Sequence, residues 1–406
     1  MKVLQINSTL NSGSTGRIAE GIGITVIKNG GESYFAYGRS VNPGKSQIIK
    51  IGNKWDQFNH VLQTRLFDTN GFHSKTATIT FIKQIQQINP DIIHLHNLHG
   101  YYLDITVLFH FLKDWKKPIV WTLHDCWSFT GHCCYYERVN CIKWKTECHH
   151  CPLKSIYPQS YFFDNSKSNF QKKKALFTTT HNLQLVTVSK WLENQVKDSF
   201  MQALPVQTFY NGVDLSVFKP SDSLKFKKEK GLEGKQIILG VANIWSDGKG
   251  LDSFIELSKI IKKNQVIILI GTAKKFNKHL PCNIIGIERT NSIEELAKFY
   301  NLADVFVNLS IAETFGMVTA EAMACGIPSV VYKTSAMPEL ITKDVGYIVP
   351  LNNYKLLFDR INSILENGKS GYLVNCRNRA EELFDQDKQF EKYISLYKNL
   401  QSTYLS

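Results

Sequence analysis

Two glutamates eight positions apart, Glu313 and Glu321, frame the most chemically suggestive block of this 406-residue chain. The block opens Glu313-Thr314-Phe315-Gly316 and closes Glu321-Ala322-Met323-Ala324-Cys325-Gly326-Ile327-Pro328. It reads as a carboxylate at the end of a strand, a glycine three residues on, and a helix carrying a second carboxylate. Backbone N–H groups at such a helix start, around residues 315–317, have no partner inside the helix and make an anion site. Glu313 beside that anion is placed to accept hydroxyl hydrogen bonds, although two glutamates at this spacing are more often plain surface charge. Lys249 lies between Gly248 and Gly250 just ahead of a predicted helix, a point charge suited to an anion; a solvated lysine is the simpler alternative. Gly13-Ser14-Thr15-Gly16-Arg17 joins the first strand to the first helix. Glycine there lets backbone approach a phosphate closely, but the loop lacks a full G-x-G-x-x-G and a Walker lysine, so an ordinary loop is the competing reading. His124 follows a strand directly, at the functional end of a parallel sheet, where a purely structural histidine would also fit.

Two further clusters contain metal-ligand types. His94, His96 and His99 follow a short apolar strand, and imidazoles lining a polar cleft or loop account for them better than a metal. Cys126, Cys133, Cys134, Cys141, Cys148 and Cys151 fall within 26 residues. Cys148-x2-Cys151 has the spacing of a zinc half-site, and Cys133 or Cys134 with Cys141 would complete it. Structural zinc, no metal and an oxidised pair all remain open, and a reducing compartment disfavours the last. Cys282, Cys325 and Cys376 are isolated and expected to be buried apolar residues. No cysteine reads as a nucleophile.

The chain that must position these groups is 43% hydrophobic, 20% charged and 12% aromatic, an ordinary globular composition. Its apolar runs reach about five residues, as at Val266 to Ile270, against the ~20 of a membrane-spanning helix. The N-terminal apolar stretch is too short for a signal peptide, so a cytoplasmic protein is expected. Net charge is +13, which favours anionic partners. Lys172, Lys173 and Lys174, like the lysines between 225 and 230, are expected to be solvated surface, and no long basic run suggests a nucleic-acid arm.

Short apolar strands alternate with helices from end to end. Strands are expected at 2–7, 33–37, 91–95, 119–123 and 185–188. Helices are expected at 15–29, 76–88, 105–115, 170–179 and, capped by Ser189, from there to about 199. Residues 38–71 read as irregular. The second half predicts strands at 237–241, 265–270, 305–308, 329–332 and 347–349. Helices are expected near 251–262, 293–301, 317–325, 353–366, 371–383 and 388–399. This alternation implies two α/β domains with parallel sheets, meeting near 205–220. Ligands of such sheets bind at the carboxyl ends of strands, so the site is expected in a cleft between the two domains.

The Glu-x7-Glu block with its flanks resembles the retaining glycosyltransferases of family 4, whose fold, GT-B, pairs two facing Rossmann-like domains. Asn211-Gly212-Val213-Asp214 resembles that family's interdomain junction, Lys249-Gly250 its phosphate turn, Gly13 to Arg17 its N-terminal glycine loop, and Thr122-Leu123-His124-Asp125 the segment that brings a histidine to the donor sugar. The resemblance spans nearly the whole chain in the family's order. It implies an acceptor domain at 1–205 with a cysteine-rich insertion at 126–152, a nucleotide-sugar domain at 206–385, and a last helix, 386–406, crossing back to the first domain. It further implies catalytic roles for Glu313, His124 and Lys249, and donor contacts from Gly13, Gly16, Thr272, Thr314, Phe315, Gly316 and Glu321. No catalytic metal is implied; the metal question is limited to structural zinc at Cys133, Cys141, Cys148 and Cys151. The family's usual arginine before the lysine is absent, and Lys274 or Lys275 would take its place. The implied reaction moves a sugar from a UDP- or GDP-linked donor to a glycan acceptor, polyprenyl-diphosphate-linked, in bacterial surface-polysaccharide assembly at the inner face of the membrane, with no nucleic acid. Rival readings are a GT-B sugar-nucleotide epimerase or phosphorylase and, from another class, a basic nucleic-acid binder with a zinc module.

Overall fold

The computed structural model describes residues 1–405, with the side chains of Lys275, Phe276 and Leu405 outside the description. The chain divides into two compact units, Met1–Phe209 with Gln389–Ser406, and Tyr210–Lys388. The boundaries stand four residues beyond 205 and three beyond 385.

The first unit is built on a seven-stranded sheet. Its strands are β1 (Lys2–Asn7), β2 (Glu32–Tyr37), β3 (Gln47–Lys50), β4 (Ile92–Leu95), β5 (Ile119–Leu123), β6 (Leu183–Thr187) and β7 (Val206–Thr208). They run in the order β3-β2-β1-β4-β5-β6-β7, every pair parallel. Helices α1 (Gly13–Lys28), α2 (Lys54–Phe67), α3 (Lys75–Ile88), α4 (Ile105–Asp114), α5 (Ser166–Phe177) and α6 (Lys190–Lys197) fill the crossovers. Every residue of β4, β5 and β6 is buried, as expected of a parallel sheet covered on both faces. Ser189 caps α6 by accepting the Leu192 N–H at 3.1 Å.

The second unit holds β8 (Gln236–Val241), β9 (Gln265–Ile270), β10 (Ile284–Ile287), β11 (Val305–Asn308), β12 (Ser329–Tyr332) and β13 (Gly346–Val349), in the order β10-β9-β8-β11-β12-β13, all parallel. Its helices are α7 (Leu224–Glu229), α8 (Leu251–Ser258), α9 (Lys274–Asn277), α10 (Ile293–Leu302), α11 (Met317–Ala324), α12 (Met337–Leu340), α13 (Tyr354–Asn367) and α14 (Ser370–Leu383). Six strands of each unit thus follow the doubly wound order 3-2-1-4-5-6, with the direction of winding reversing beside the first strand. The last helix, α15 (Gln386–Leu405), belongs to the first unit from Gln389 onward. It buries Phe390, Tyr393, Ile394 and Tyr397 there. A Cβ on Gly21 of α1 would stand 2.4 Å from the Phe390 ring, so glycine is what admits that ring.

Several expectations need correction. Residues 38–71 are not irregular, since they contain β3 and α2. The edge strand β3 is mostly exposed and so lacks an apolar signature. Helix α2 leaves Trp55 and Phe58 exposed, but its Asn53/Asp56 capping box fixes the start. Helix α8 stops at Ser258, short of 262. Cys282 is exposed, whereas Cys325 and Cys376 are buried. Lys173, read as solvated, is only 1% exposed. Among the described residues no helix is long and apolar enough to cross a membrane.

Candidate functional site

In the second unit the winding reverses between β8 and β11, and the loops leaving these two strands carry Lys249 and Glu313. The chain after β8 makes a short helical turn, Asp247–Lys249. Gly250 follows it with φ +78°, and a Cβ there would lie 2.2 Å from the Leu309 carbonyl oxygen. Only glycine therefore lets the lysine turn sit against the end of β11. The Ile311 N–H donates to the Gly248 carbonyl at 3.0 Å and ties the two loops together. The result is an ion pair, Lys249 Nζ to Glu313 Oε1 at 2.5 Å, with the lysine side chain 38% exposed and the glutamate 17%. Neither group is an isolated surface charge.

Gly316 precedes α11 at φ +99°, where a Cβ would stand 2.8 Å from Met337 Sδ. It gives α11 no side-chain cap. Thr314 and Phe315 lie just before it. The Phe315 side chain is buried against the Tyr210 and Phe384 rings, so its backbone is the part available to a ligand. Thr314 is buried as well. Glu321, in the second turn of α11, is buried and accepts the Tyr300 hydroxyl at 2.8 Å. This partner on α10 gave no sign in the sequence. Thr272 follows β9 and is 2% exposed; its Oγ1 is buried without a hydrogen-bond partner among the described residues. An orphaned buried hydroxyl is costly and marks a place where a ligand atom would be welcome. Lys274 is exposed, and the side chain of Lys275 lies outside the described residues.

The first unit has the corresponding reversal between β1 and β4. Gly13 opens α1 at φ +67° with nothing within 4 Å of where its Cβ would be, and Ser12 supplies no side-chain cap. Gly16 faces inward instead: a Cβ would lie 2.9 Å from Thr9 Oγ1, so this glycine serves loop packing. On the far side of the reversal the histidines are buried and joined in a chain. Gln5 Nε2 donates to the Ala19 carbonyl at 2.8 Å, which turns Gln5 Oε1 toward His96 Nε2 at 3.0 Å. His96 must then carry its proton on Nε2, and its Nδ1 accepts from His124 Nε2 at 3.0 Å. His124 is thereby held as the Nε2–H tautomer, with Nδ1 as its accepting nitrogen. Burial lowers the His124 pKa to about 4, despite the opposing charge of Asp125. Burial likewise pushes His94 and His96 well below the usual value. His94 belongs to a second chain: its Nε2 meets Thr122 Oγ1 at 2.8 Å and its Nδ1 meets the Tyr397 hydroxyl of α15 at 2.6 Å.

His96, His99, His124 and Asp125 line a small cavity with Trp127. His99 Nε2 lies 2.7 Å from Asp125 Oδ2 and its Nδ1 3.0 Å from the Tyr157 hydroxyl. Burial raises the Asp125 carboxyl, but the charge and hydrogen bond of His99 outweigh it and hold it below the ordinary carboxylate value. The roles of Gln5 and His96 escaped the sequence because they depend on the β1–β4 register, which sets Gln5 beside His94. The four predicted zinc ligands lie in the segment between β5 and α5. Cys133 and Cys148 are buried and Cys141 and Cys151 half-buried, all as free thiols.

Comparison with known proteins agrees with this architecture. The family model "Glycosyltransferase Family 4" matches residues 54–217, and "Glycosyl transferases group 1" matches residues 222–383. The chain is 25% identical to the Escherichia coli (strain K12) protein named "Putative colanic acid biosynthesis glycosyl transferase WcaC", over 98% of this chain and 100% of that protein. It is 24% identical to the capsular polysaccharide biosynthesis glycosyltransferase CapM of Staphylococcus aureus, over 56% of this chain and 63% of that one. Among solved structures, sucrose-phosphate synthase of Thermosynechococcus elongatus superposes with a TM-score of 0.74 at 15% identity, covering 99% of this chain and 100% of that one. The Anabaena protein HepE in complex with UDP does so with 0.68 at 15% identity, covering 98% and 100%. Two tandem family models and two parallel-sheet units of matching fold place this chain among the family 4 glycosyltransferases of the GT-B fold.

Proposed function

We propose that the protein transfers a sugar from a nucleotide-diphospho-sugar, UDP- or GDP-linked, to a glycan acceptor, with retention of anomeric configuration, in capsule or exopolysaccharide assembly. The observation that carries this reading is the Lys249–Glu313 pair, set at the strand reversal of the second unit beside the uncapped start of α11 and the orphaned Thr272 hydroxyl. The diphosphate binds at Lys249 and the N–H groups of residues 315–317, since a helix start and an ammonium both favour anions. Glu321 accepts the ribose hydroxyls in charge-assisted hydrogen bonds. Glu313 exchanges Lys249 for a hydroxyl of the donor. As the bond between anomeric carbon and diphosphate oxygen breaks, its electron pair passes to the diphosphate, where Lys249 meets the growing charge. The acceptor hydroxyl oxygen forms the new bond, and its proton passes to the departing diphosphate oxygen. In the first unit, His124 hydrogen-bonds the donor sugar.

The named relatives in colanic acid and capsule biosynthesis, and the UDP bound by HepE, support the donor class and the polysaccharide setting. The +13 charge suits a polyprenyl-diphosphate-linked acceptor at an anionic membrane face. Thermal-shift measurements with UDP, GDP and their sugars test the donor: a specific, saturable rise in melting temperature is expected. No shift with any nucleoside diphosphate would overturn the proposal.

A further inference from the structure

Helix α2 of the first unit turns its apolar side to solvent. Its fully buried residues, His60 and Thr64, are polar, and Val61 and Leu66 are half-buried. Trp55 is 78% exposed and Phe58 58%, with Leu62 exposed as well. At 3.6 residues per turn these three positions (i, i+3 and i+7) share one side of the helix, with Arg65 and Lys54 beside them. A helix packed on a core normally shows the reverse pattern. The inversion is held by hydrogen bonds: His60 Nδ1 meets Ser74 Oγ at 2.9 Å, and His60 Nε2 accepts the Gly71 N–H at 3.1 Å. The apolar surface continues past the end of α2. The Arg65 carbonyl accepts the Tyr161 N–H at 2.8 Å, and the Phe67 ring stacks on Phe163 with centroids 5.6 Å apart. Tyr161, Phe162 and Phe163 are each more than half exposed. Singly scattered apolar residues on a surface are ordinary, but a connected patch of large ones marks an interaction site.

The charges on this patch say what covers it. Across residues 54–67 and 154–163 the basic side chains are Lys54, Arg65 and Lys154, and the single acid is Asp56. Asp56 is spent on the capping box of α2, and Asp68 just after the helix is buried against His132. Lys154 Nζ donates to the Phe162 carbonyl at 3.0 Å, which sets a cation at the foot of the aromatic loop. Aromatic rings flanked by cations, with no free carboxylate among them, match the headgroup level of an anionic bilayer. A second copy of the chain fits worse. A two-fold contact would lay this patch on itself and crowd Lys54 and Arg65 of both copies with only the capped Asp56 to oppose them.

We propose that the outward face of α2, together with residues 161–163, docks the first unit onto an anionic lipid bilayer. Trp55, Phe58 and the 161–163 rings enter the boundary between headgroups and acyl chains, while Lys54 and Arg65 meet lipid phosphate. The purpose of docking rests on the transfer proposal, since a polyprenyl-linked acceptor lies at such a surface; the binding itself is a property of this patch and is measured without any sugar.

Full-length protein is sedimented with vesicles of phosphatidylcholine alone or with about 30% phosphatidylglycerol added. Binding to the anionic vesicles should be at least about tenfold the stronger and should weaken as salt is raised. The pair Trp55→Ser and Phe58→Ser, and separately Phe162→Ser, should each weaken it about tenfold or more. Leu224→Ser, at an exposed position of the second unit, should leave it unchanged. Trp55 is the one exposed tryptophan among the described residues. Brominated lipid should therefore quench the fluorescence of wild type, and quench Trp55→Phe much less although that variant still binds, a readout that does not depend on how the serine variants fold. Thermal shift with UDP and GDP on the same samples separates the two proposals: vesicle binding without a nucleotide shift upholds docking and removes the transfer reading, and the converse result removes docking alone. Equal binding to neutral and anionic vesicles, or aromatic variants that bind like wild type, would overturn the proposal. So would a dimer, seen by light scattering, that Trp55→Ser dissociates, because a second copy would then cover the patch.

Discussion

Replacing Lys249 with alanine isolates the charge on which the chemistry turns. In the free protein its ammonium is 2.5 Å from Glu313 Oε1, and both side chains reach solvent. An exposed pair of this kind is worth about 0–1 kcal/mol of stability, so the variant should fold. Its activity should fall much further. Losing one preorganised charge at a developing anion costs about 10²–10³ in rate. The substitution also leaves Glu313 unpaired beside an arriving diphosphate. Two like charges about 4 Å apart near a protein surface repel by up to about 4 kcal/mol, so the loss should lie at the upper end of that range or beyond. Glu313→Gln in the same background removes the repulsion and should recover part of the donor affinity, which makes the double-mutant cycle non-additive by at least about 1 kcal/mol. The assay is kcat/KM for transfer, with Kd for UDP or GDP by calorimetry and the melting temperature as a control. An alanine variant within about threefold of wild type, or strict additivity with Glu313→Gln, would refute the reasoning.

Glu321→Gln should weaken nucleotide diphosphate binding while the donor's chemistry, once bound, changes little; Glu321→Ala also strands the Tyr300 hydroxyl and should cost a further ~1–3 kcal/mol of stability, read by denaturant unfolding. Gln5→Leu removes the group that sets the His96 tautomer and should lower kcat with little effect on the Kd of bare UDP, and nitrogen-15 shifts of the histidines should show His124 losing its fixed Nε2–H form. Acid should destabilise the first unit. The folded-state pKa of His124, about 4, lies below its unfolded value of 6.5, so its contribution is full above about pH 6.5 and is lost as pH falls toward 4; that is about 3 kcal/mol for His124 alone, with His94 and His96 acting in the same direction. Thermal melts between pH 4 and 7 measure this, and a flat profile would contradict it.

Much of the architecture could be read from residue pattern, because parallel strands buried on both faces are short, near-continuous apolar runs such as Ile237 to Val241 and Gln265 to Ile270. The features that escaped lack such a pattern. Strand β3 is a solvated edge, and α2 turns aromatic residues outward. Lys173 looks like any lysine in a basic cluster, and only the fold shows that it points into the cysteine-rich core. Candidate site residues were nominated from spacing where one short stretch of chain carries them, as with Glu313, Gly316 and Glu321. They were not where strands distant in sequence must meet. Gln5 and His96 are 91 positions apart, and their hydrogen bond follows from strand register alone. Glycines behaved unevenly for the same reason: Gly250 and Gly316 are required by close approach of backbone or side chain, Gly13 opens onto free space, and Gly16 is required by its close contact with Thr9.

The measurement that tests the central claim most directly follows nucleoside diphosphate release and product formation together, with a panel of UDP- and GDP-sugars and a polyprenyl-diphosphate-linked acceptor. The account predicts acceptor-dependent release of nucleoside diphosphate, one sugar added per diphosphate freed, without added magnesium or manganese. The new linkage should show the donor's anomeric configuration by NMR, and Lys249→Ala should slow both signals by about 10²–10³ or more. Interconversion of the sugar nucleotide without an acceptor, or transfer in Lys249→Ala within about threefold of wild type, would contradict it.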